Sequence, residues 1–498
     1  MSHFEGRSLL RRLKVAISPQ LKTLYGPEVY WTWRLLLSGI GLPWEEVSID
    51  SSDYDVAYVL ENQRVAPCRL RINARPEYWA HRSSLRLTGI KESNGWRLPA
   101  FENELFYTDF FRVADNCVVC TRDLIFDIFW LVTGQAEQQW TRDEKDRFQL
   151  NEAQEDWKHV FRLALASGIG DQMENLFLEL GFPIPVPRWP QGKRAAVCVG
   201  HDVDYPEVIR WLEPLRIVHK RGLQGFSTAV SVLTGKRNHW HIPSWVQAEK
   251  RLNIKSAFYF VPRQGSLLRY ALGTPDPFYD VRSRRFRALF QVLLDEGFEI
   301  GMHASYQAFE SQERFANEKY LLEHVSGQPI EGNRHHYFHL DPDNSESTLL
   351  LHERIGLKYD TSLGHALYIG WRRSFCWPFF PFHQGERREI KTLQLSTAWM
   401  DDHLFRRHEH NPGDRGEILR ALADVVAEQG GCLVIDIHDY VFDEVLFPEW
   451  AKTYFALLGY LLERSDFWIE TPKAIAQHWQ QRHASILQNS EGLTERGY

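Results

Sequence analysis

No apolar run in this 498-residue chain approaches the roughly 20 residues needed to span a bilayer. The most hydrophobic stretch, Ile125 to Val132, is short and interrupted by Asp127, so no membrane span is expected. Basic residues stand near the start (Arg7, Arg11, Arg12, Lys14), but no apolar core or small-residue cleavage site follows them. The chain therefore reads as cytoplasmic, without a secretory leader. Cysteine is scarce: there are six, and Cys198 and Cys432 lie inside apolar runs, which suits buried thiols and excludes a disulfide framework. Cys117 and Cys120 have redox or zinc spacing, but no second pair and no neighbouring histidine accompany them, so their role reads as structural. An excess of positive charge is also missing. A net charge of −7 and a pI near 6.3 exclude nucleic acid as the main partner, and the basic runs Arg282 to Arg287 and Arg406-Arg407 read as solvated surface. Internal repeats and low-complexity segments are absent.

What is present is ample material for cores. Hydrophobic residues make up 44% of the chain, with 18 Trp, 30 Phe and 19 Tyr, enough to leave aromatic rings for lining a cleft. The length suits two or three domains. The first 110 or so residues mix a helix-like stretch, Glu28 to Leu37, with strand-like ones, Asp55 to Leu60 and Leu70 to Ile72. Residues 120–180 read as mostly helical. Pro183, Pro185, Pro187 and Pro190 can continue neither a helix nor a central strand, and the main boundary falls there. The expected division is an N-terminal accessory α/β and helical region (1–190), a catalytic domain (191–480) and a C-terminal tail (481–498).

Beyond the prolines, apolar strand candidates at 195–200, 255–261, 298–302, 330–337, 357–360, 390–396, 432–438 and 467–470 alternate with helical segments, several of which stop at Gly297, Gly327, Gly356 or Gly430. Alternation of this kind means a parallel sheet. Seven or eight units in about 290 residues match an α/β fold of the closed (β/α) barrel type, with an open doubly wound sheet as the alternative. In either case chemistry gathers at the C-terminal ends of the strands.

Those ends carry titratable groups. The run from Ala195 delivers Asp202 and Asp204; one carboxylate could hold a cation while the other handles a proton. The third strand ends at His303. The fourth offers Arg334 and His336 on one face, and the seventh Asp436 and His438 on one face, by strand alternation. Carboxylates, histidines and an arginine thus converge from four strands.

With these motifs in this order, residues 193–480 resemble the polysaccharide deacetylase family, the NodB-homology carbohydrate esterases, which are built on a distorted (β/α) barrel of seven or eight strands. The flanking runs Tyr359 to Leu363 and Trp468 to Pro472 resemble a long bacterial branch with an N-terminal extension, associated with surface-polysaccharide gene clusters. The resemblance implies Asp202 as catalytic base, Arg334 as its orienting partner and His438 as general acid, with Asp204 and His303 as ligands of a divalent metal ion, zinc. The implied substrate is an N-acetylated amino sugar or glycan, released as acetate and a free amine. One departure matters: the family's second metal histidine should stand four residues after His303, where this chain has Gln307, a poor zinc ligand. Gln307 or water completing a weaker site, His336 or His201 supplying the nitrogen, and loss of the metal all remain open. The alternatives to deacetylation are attack on another amide, a metal-free carbohydrate-binding or assembly protein on the same barrel and, ranked last, glycosyl transfer, for which residues 1–190 show no glycine-rich phosphate loop.

Overall fold

The computed structural model describes residues 11–490 except 105–108, 115, 152–155, 208–211, 267, 269–274 and 406–412. Arg7 and the run Arg406-Arg407 lie outside the described residues.

The second part of the chain folds as a parallel α/β barrel. Eight short strands pair in one path: Leu393–Gln394, Tyr359–Asp360, Gly332–His335, Glu299–Ala304, Ala257–Phe260, Ala195–Val203, Cys432–Asp436 and Thr397–Met400. Every pairing along it is parallel. Its two ends are consecutive in sequence. Gln394 and Thr397 are three residues apart, about 10 Å of extended chain, so the sheet must curl until its edges nearly meet. A further strand, Phe467–Ile469, pairs with the start of Ala195–Val203. The helices Ile242–Arg251, Arg284–Asp295, Gln312–Ser326, Ser345–Arg354, Arg415–Gln429 and Trp450–Glu463 lie among these strands in the alternation read from the sequence. Two end on glycines in the left-handed region, Gly327 (φ 76°) and Gly430 (φ 66°), which close the last turn without a Cβ penalty.

Before the barrel stands a six-stranded sheet in the order Trp44–Val47, Leu13–Ile17, Val56–Leu60, Leu70–Ala74, Cys117–Cys120, Phe111–Ala114, parallel except at its last pair. The strand pattern read at 55–60 and 70–72 is present, and the helix read from Glu28 extends over Pro19–Ile40, kinked at Tyr25 ahead of Pro27. Within residues 120–180, expected to be mostly helical, Thr141–Arg142 and Phe148–Gln149 form a small antiparallel hairpin instead. The two parts share one apolar core, running from Leu13 through Trp377 to Trp479. The final helix, Pro472–Gln488, continues through the boundary expected at residue 480. Its buried Arg482 donates to the carbonyls of Ser38, Ile40, Val186 and Pro187, covering the exposed carbonyl end of the helix Pro19–Ile40. All six cysteines are free and buried.

Candidate functional site

Alternation along the first barrel strand sorts its side chains. Gly200, Asp202 and Asp204 face the barrel interior, whereas His201 faces the helix layer. There its Nε2 lies 2.8 Å from Glu249 and its ring stacks on Phe258, 4.7 Å between centroids. His201 is thereby excluded as the missing ligand, because a one-residue step along a strand reverses the face. Gly200 and Gly301 leave the interior room that Tyr259 and Arg334 occupy: a Cβ at Gly200 would stand 2.5 Å from the Tyr259 ring and 2.8 Å from the Arg334 guanidinium, and one at Gly301 2.4 Å from the same ring.

Asp204, His303 and His336 converge. His303 Nε2 is 3.4 Å from Asp204 Oδ1, His336 Nε2 is 3.5 Å from Asp204 Oδ2, and ligand atoms of all three lie within 4.8 Å of one another. Each imidazole is turned by its other nitrogen: His303 Nδ1 lies 2.8 Å from the carbonyl of Arg334, and His336 Nδ1 lies 3.4 Å from the Asp276 carboxylate, which also accepts from the amide of Tyr306. That is the arrangement by which metal-binding histidines are oriented, with the Nε2 lone pair aimed at the cation. Asp204 Oδ1, His303 Nε2 and His336 Nε2 are buried and satisfied by no hydrogen bond. The separations of the two imidazole nitrogens from the Asp204 oxygens, 3.4 and 3.5 Å, are close to the edge of a tetrahedron with bonds of about 2.0–2.1 Å, which is about 3.3–3.4 Å. The local field points the same way. Burial opposes charge on His336, but Asp204 and Asp276 outweigh it and raise its pKa to about 9. Burial likewise opposes ionisation of Asp204, yet the surrounding imidazoles hold its carboxyl well below the usual range. A site that draws a proton onto a buried nitrogen favours a cation there, and proton and metal compete for one lone pair. The residues present therefore fit a divalent metal. Gln307, by contrast, lies beyond the strand, at the start of the turn Ala308–Glu310.

Beside this cluster, Arg334 is fully buried across the barrel. Its Nη1 donates to Asp202 Oδ1 at 2.9 Å and lies 2.8 Å from Asp436 Oδ1, its Nε donates to Thr361 Oγ1 at 2.9 Å, and its guanidinium lies 4.6 Å from the Tyr259 ring centre. One cation between two carboxylates leaves the second incompletely compensated: burial pushes the Asp436 carboxyl well above its ordinary value, against the pull of Arg334. The other oxygen of Asp202 is 3.5 Å from His303 Nε2. His438 closes the group. Its Nε2 is 3.6 Å from Asp204 Oδ2, its Nδ1 is 2.9 Å from Asp401 Oδ1, and its amide donates to Asp401 Oδ2 at 2.8 Å. Burial works against a charged imidazole here, but Asp401 outweighs it and, with Asp436 and Asp204, raises the His438 pKa well above the usual value.

All five residues expected from the sequence, Asp202, Asp204, His303, Arg334 and His438, thus share one site at the strands' C-terminal ends. Three carboxylates around them escaped the sequence reading. Asp401 follows the strand Thr397–Met400, which lies beyond the expected strand 390–396 and was not itself read from the sequence. Asp439, which accepts from the amide of Asp204 at 3.1 Å, is adjacent to His438 and was legible by position alone. Asp276 sits in an irregular stretch with no periodic signal.

The rim shows how the N-terminal region reaches the site. Tyr337 and Phe338, directly after His336, have φ of 63° and 51°, a conformation that non-glycine residues adopt at a cost and that recurs at functional sites. The hairpin Thr141–Gln149 docks on this turn: Tyr306 donates to the carbonyl of Lys145 at 3.1 Å, Arg142 to that of Pro342 at 2.6 Å, and Lys145 Nζ lies 5.3 Å from the Tyr337 ring centre. Between hairpin and barrel loops lies a narrow cavity of about 20 Å³, lined by Lys145, Phe148, Tyr337, His339 and Arg372 among others. The Tyr337 ring, centred 4.8 Å from that of His336, connects cavity and cluster.

No family model and no curated protein matches the chain. Among solved structures, it is similar to a probable polysaccharide deacetylase from Pseudomonas aeruginosa PAO1 (18% identity over 62% of this chain and 98% of that chain, TM-score 0.41). It is similar also to Puue allantoinase (16%, 60% and 94%, TM-score 0.41) and to the polysaccharide deacetylase Bc1974 from Bacillus cereus (14%, 56% and 91%, TM-score 0.28). At such identities and TM-scores these likenesses fix neither family nor activity.

Proposed function

We propose that the chain is a metal-dependent hydrolase that removes the N-acetyl group from an amino sugar or glycan. The observation that carries this reading is the set of three orphaned, buried ligand atoms of Asp204, His303 and His336, flanked on one side by a carboxylate fixed by arginine and on the other by an imidazole fixed by aspartate. A divalent cation held by Asp204, His303 and His336, zinc by its donor set, supplies Lewis-acid polarisation of a carbonyl and lowers the pKa of water towards about 7. Asp202, with one oxygen locked to Arg334, accepts the proton of the attacking water on the other. Arg334 holds that carboxylate in place and touches no substrate atom. His438, with Nδ1 tied to Asp401, presents Nε2 to the same space and gives its proton to the departing amine, which leaves poorly unless protonated. Water and an acetamide thereby become acetate and a free amino sugar.

Residues 1–190 act in this reading as an accessory module that shapes the cleft, supported by the hairpin on its rim. We assign the protein to the cytoplasm and to surface-polysaccharide biosynthesis; six unpaired buried thiols accord with a reducing compartment. The test is acetate release from N-acetylated amino sugars, free, nucleotide-linked and lipid-linked, together with elemental analysis of the purified protein. About one equivalent of metal and acetate release that stops with chelator are expected. Glycan binding with neither metal nor acetate would replace the hydrolase by a binding protein.

A further inference from the structure

We propose that residues 212–237, which follow the first barrel strand at the rim of the site, form an arm that docks on an anionic lipid surface. The arm comprises the helices Glu213–Arg221 and Phe226–Leu233, joined by the single turn Gly222–Gly225. Its polarity is inverted. Ala229 and Val232 are buried against Ile217 of the other helix, with Leu446 packed on them, so the arm already has its own small core. It is fastened there by Arg221, which donates to the carbonyls of Val445 and Leu446, and by Arg237 on Asp443. The opposite side is nevertheless apolar. Phe226, Val230 and Leu233, spaced i, i+4 and i+7, form an exposed stripe, and Leu215 and Val218 are exposed on the first helix. At the connecting turn Leu223 is 92% exposed and Phe226 62%. Six of the fifteen exposed large hydrophobic residues among the described residues fall within residues 215–233, a clustering that scattered surface leucines do not produce.

Charge selects the occupant. In sequence the arm carries Arg216, Lys220, Arg221, Lys236 and Arg237 against Glu213, and with Asp443, which pairs with Arg237, the balance is +3 in a chain of net −7. Apolar side chains projecting from a short helical pair of net positive charge suit an element that lies in the headgroup region of an anionic bilayer. No helix among the described residues is long and apolar enough to cross a membrane, so the contact is peripheral. Because the arm grows from the strand that bears Asp202 and Asp204, docking brings the mouth of the barrel to the membrane. Resting on the hydrolase reading, this makes the carrier of the amino sugar a lipid.

The test uses the full chain and vesicles of phosphatidylcholine with and without phosphatidylglycerol. Co-sedimentation with the anionic vesicles, weakening as salt rises, is expected. Leu223→Glu with Phe226→Glu should lower the partition coefficient by roughly 100-fold or more, since each apolar group withheld from the bilayer counts for about a decade or more. Leu223→Ser, at a tip with no packing to lose, should lower it by a smaller factor and leave the thermal melt unchanged. Absence of sedimentation at any phosphatidylglycerol content would overturn the proposal. So would partition equal in all three proteins, or a dimer in light scattering that the variants dissociate, which would give the stripe to a second copy. Binding is read without turnover, so failure of the hydrolase reading would leave this result standing.

Discussion

Replacing His336 by alanine separates the site built by this fold from the one its motif spacing suggests. Three donors converge in the structure, and His336 is the histidine contributed from outside the run that begins at His303. Apparent zinc-binding energies of about 10–16 kcal/mol, spread over three or four ligands, assign about 3–4 kcal/mol to each. Loss of one imidazole should therefore weaken binding by roughly 10²- to 10³-fold. The protein would be equilibrated in zinc buffered by a competing chelator, with bound metal measured by elemental analysis and the zinc-induced rise in Tm by calorimetry. Near-stoichiometric metal and a clear rise in Tm are expected for the parent, and both should be lost in His336→Ala at the same free zinc. Gln307→Ala should retain them. The reasoning is refuted if His336→Ala keeps its metal while Gln307→Ala loses it, for then the glutamine completes the site and the orphaned His336 nitrogen has another cause.

Asp202→Asn should retain metal, because the carboxylate is held by Arg334, while acetate release falls by roughly 10²–10⁴-fold, the usual contribution of a positioned acid or base; parallel loss of metal would make Asp202 a ligand. His438→Ala should slow an acetamide far more than an ester whose leaving group departs unprotonated, and equal losses on the two substrates would leave His438 a positioning or ligand role. Stability should depend on pH through Glu299, which accepts from Tyr359 and from the amide of Lys473 and whose carboxyl burial pushes from 4.5 up to about 7. Its folded pKa lies above the unfolded one, so its contribution is complete below about 4.5 and is lost as pH rises through 7, worth about 3 kcal/mol in all. Glu299→Gln, which resembles the protonated form, should flatten that part of the pH profile in denaturant melts; an unchanged profile would remove Glu299 as its source.

The barrel was legible because its signals are local. A buried parallel strand is a short apolar run, a helix end is marked by a glycine, and alternation of the two fixes a parallel sheet before any contact is known. The same period of two placed Asp202 with Asp204 and Asp436 with His438 at strand ends, and among such residues the family resemblance singled out five. What the chain could not reveal depends on pairings between distant segments. Whether His201 or His336 meets Asp204 is decided by the face each takes: His201 turns to Glu249, whereas His336 lies where the chain bends through positive φ just past its strand. Asp401 and Asp276 gain their roles from loops packed against His438 and His336, contacts that span 37 and 60 residues and leave no periodic trace. The N-terminal hairpin over the rim and the helix that carries Arg482 back onto the first sheet are likewise tertiary facts. Sequence determined which side chains reach the mouth of the barrel, because backbone period is a local property. Only the folded chain decided which of them share a proton, a carboxylate or a cation, because that depends on distances of a few ångströms between strands the sequence holds far apart.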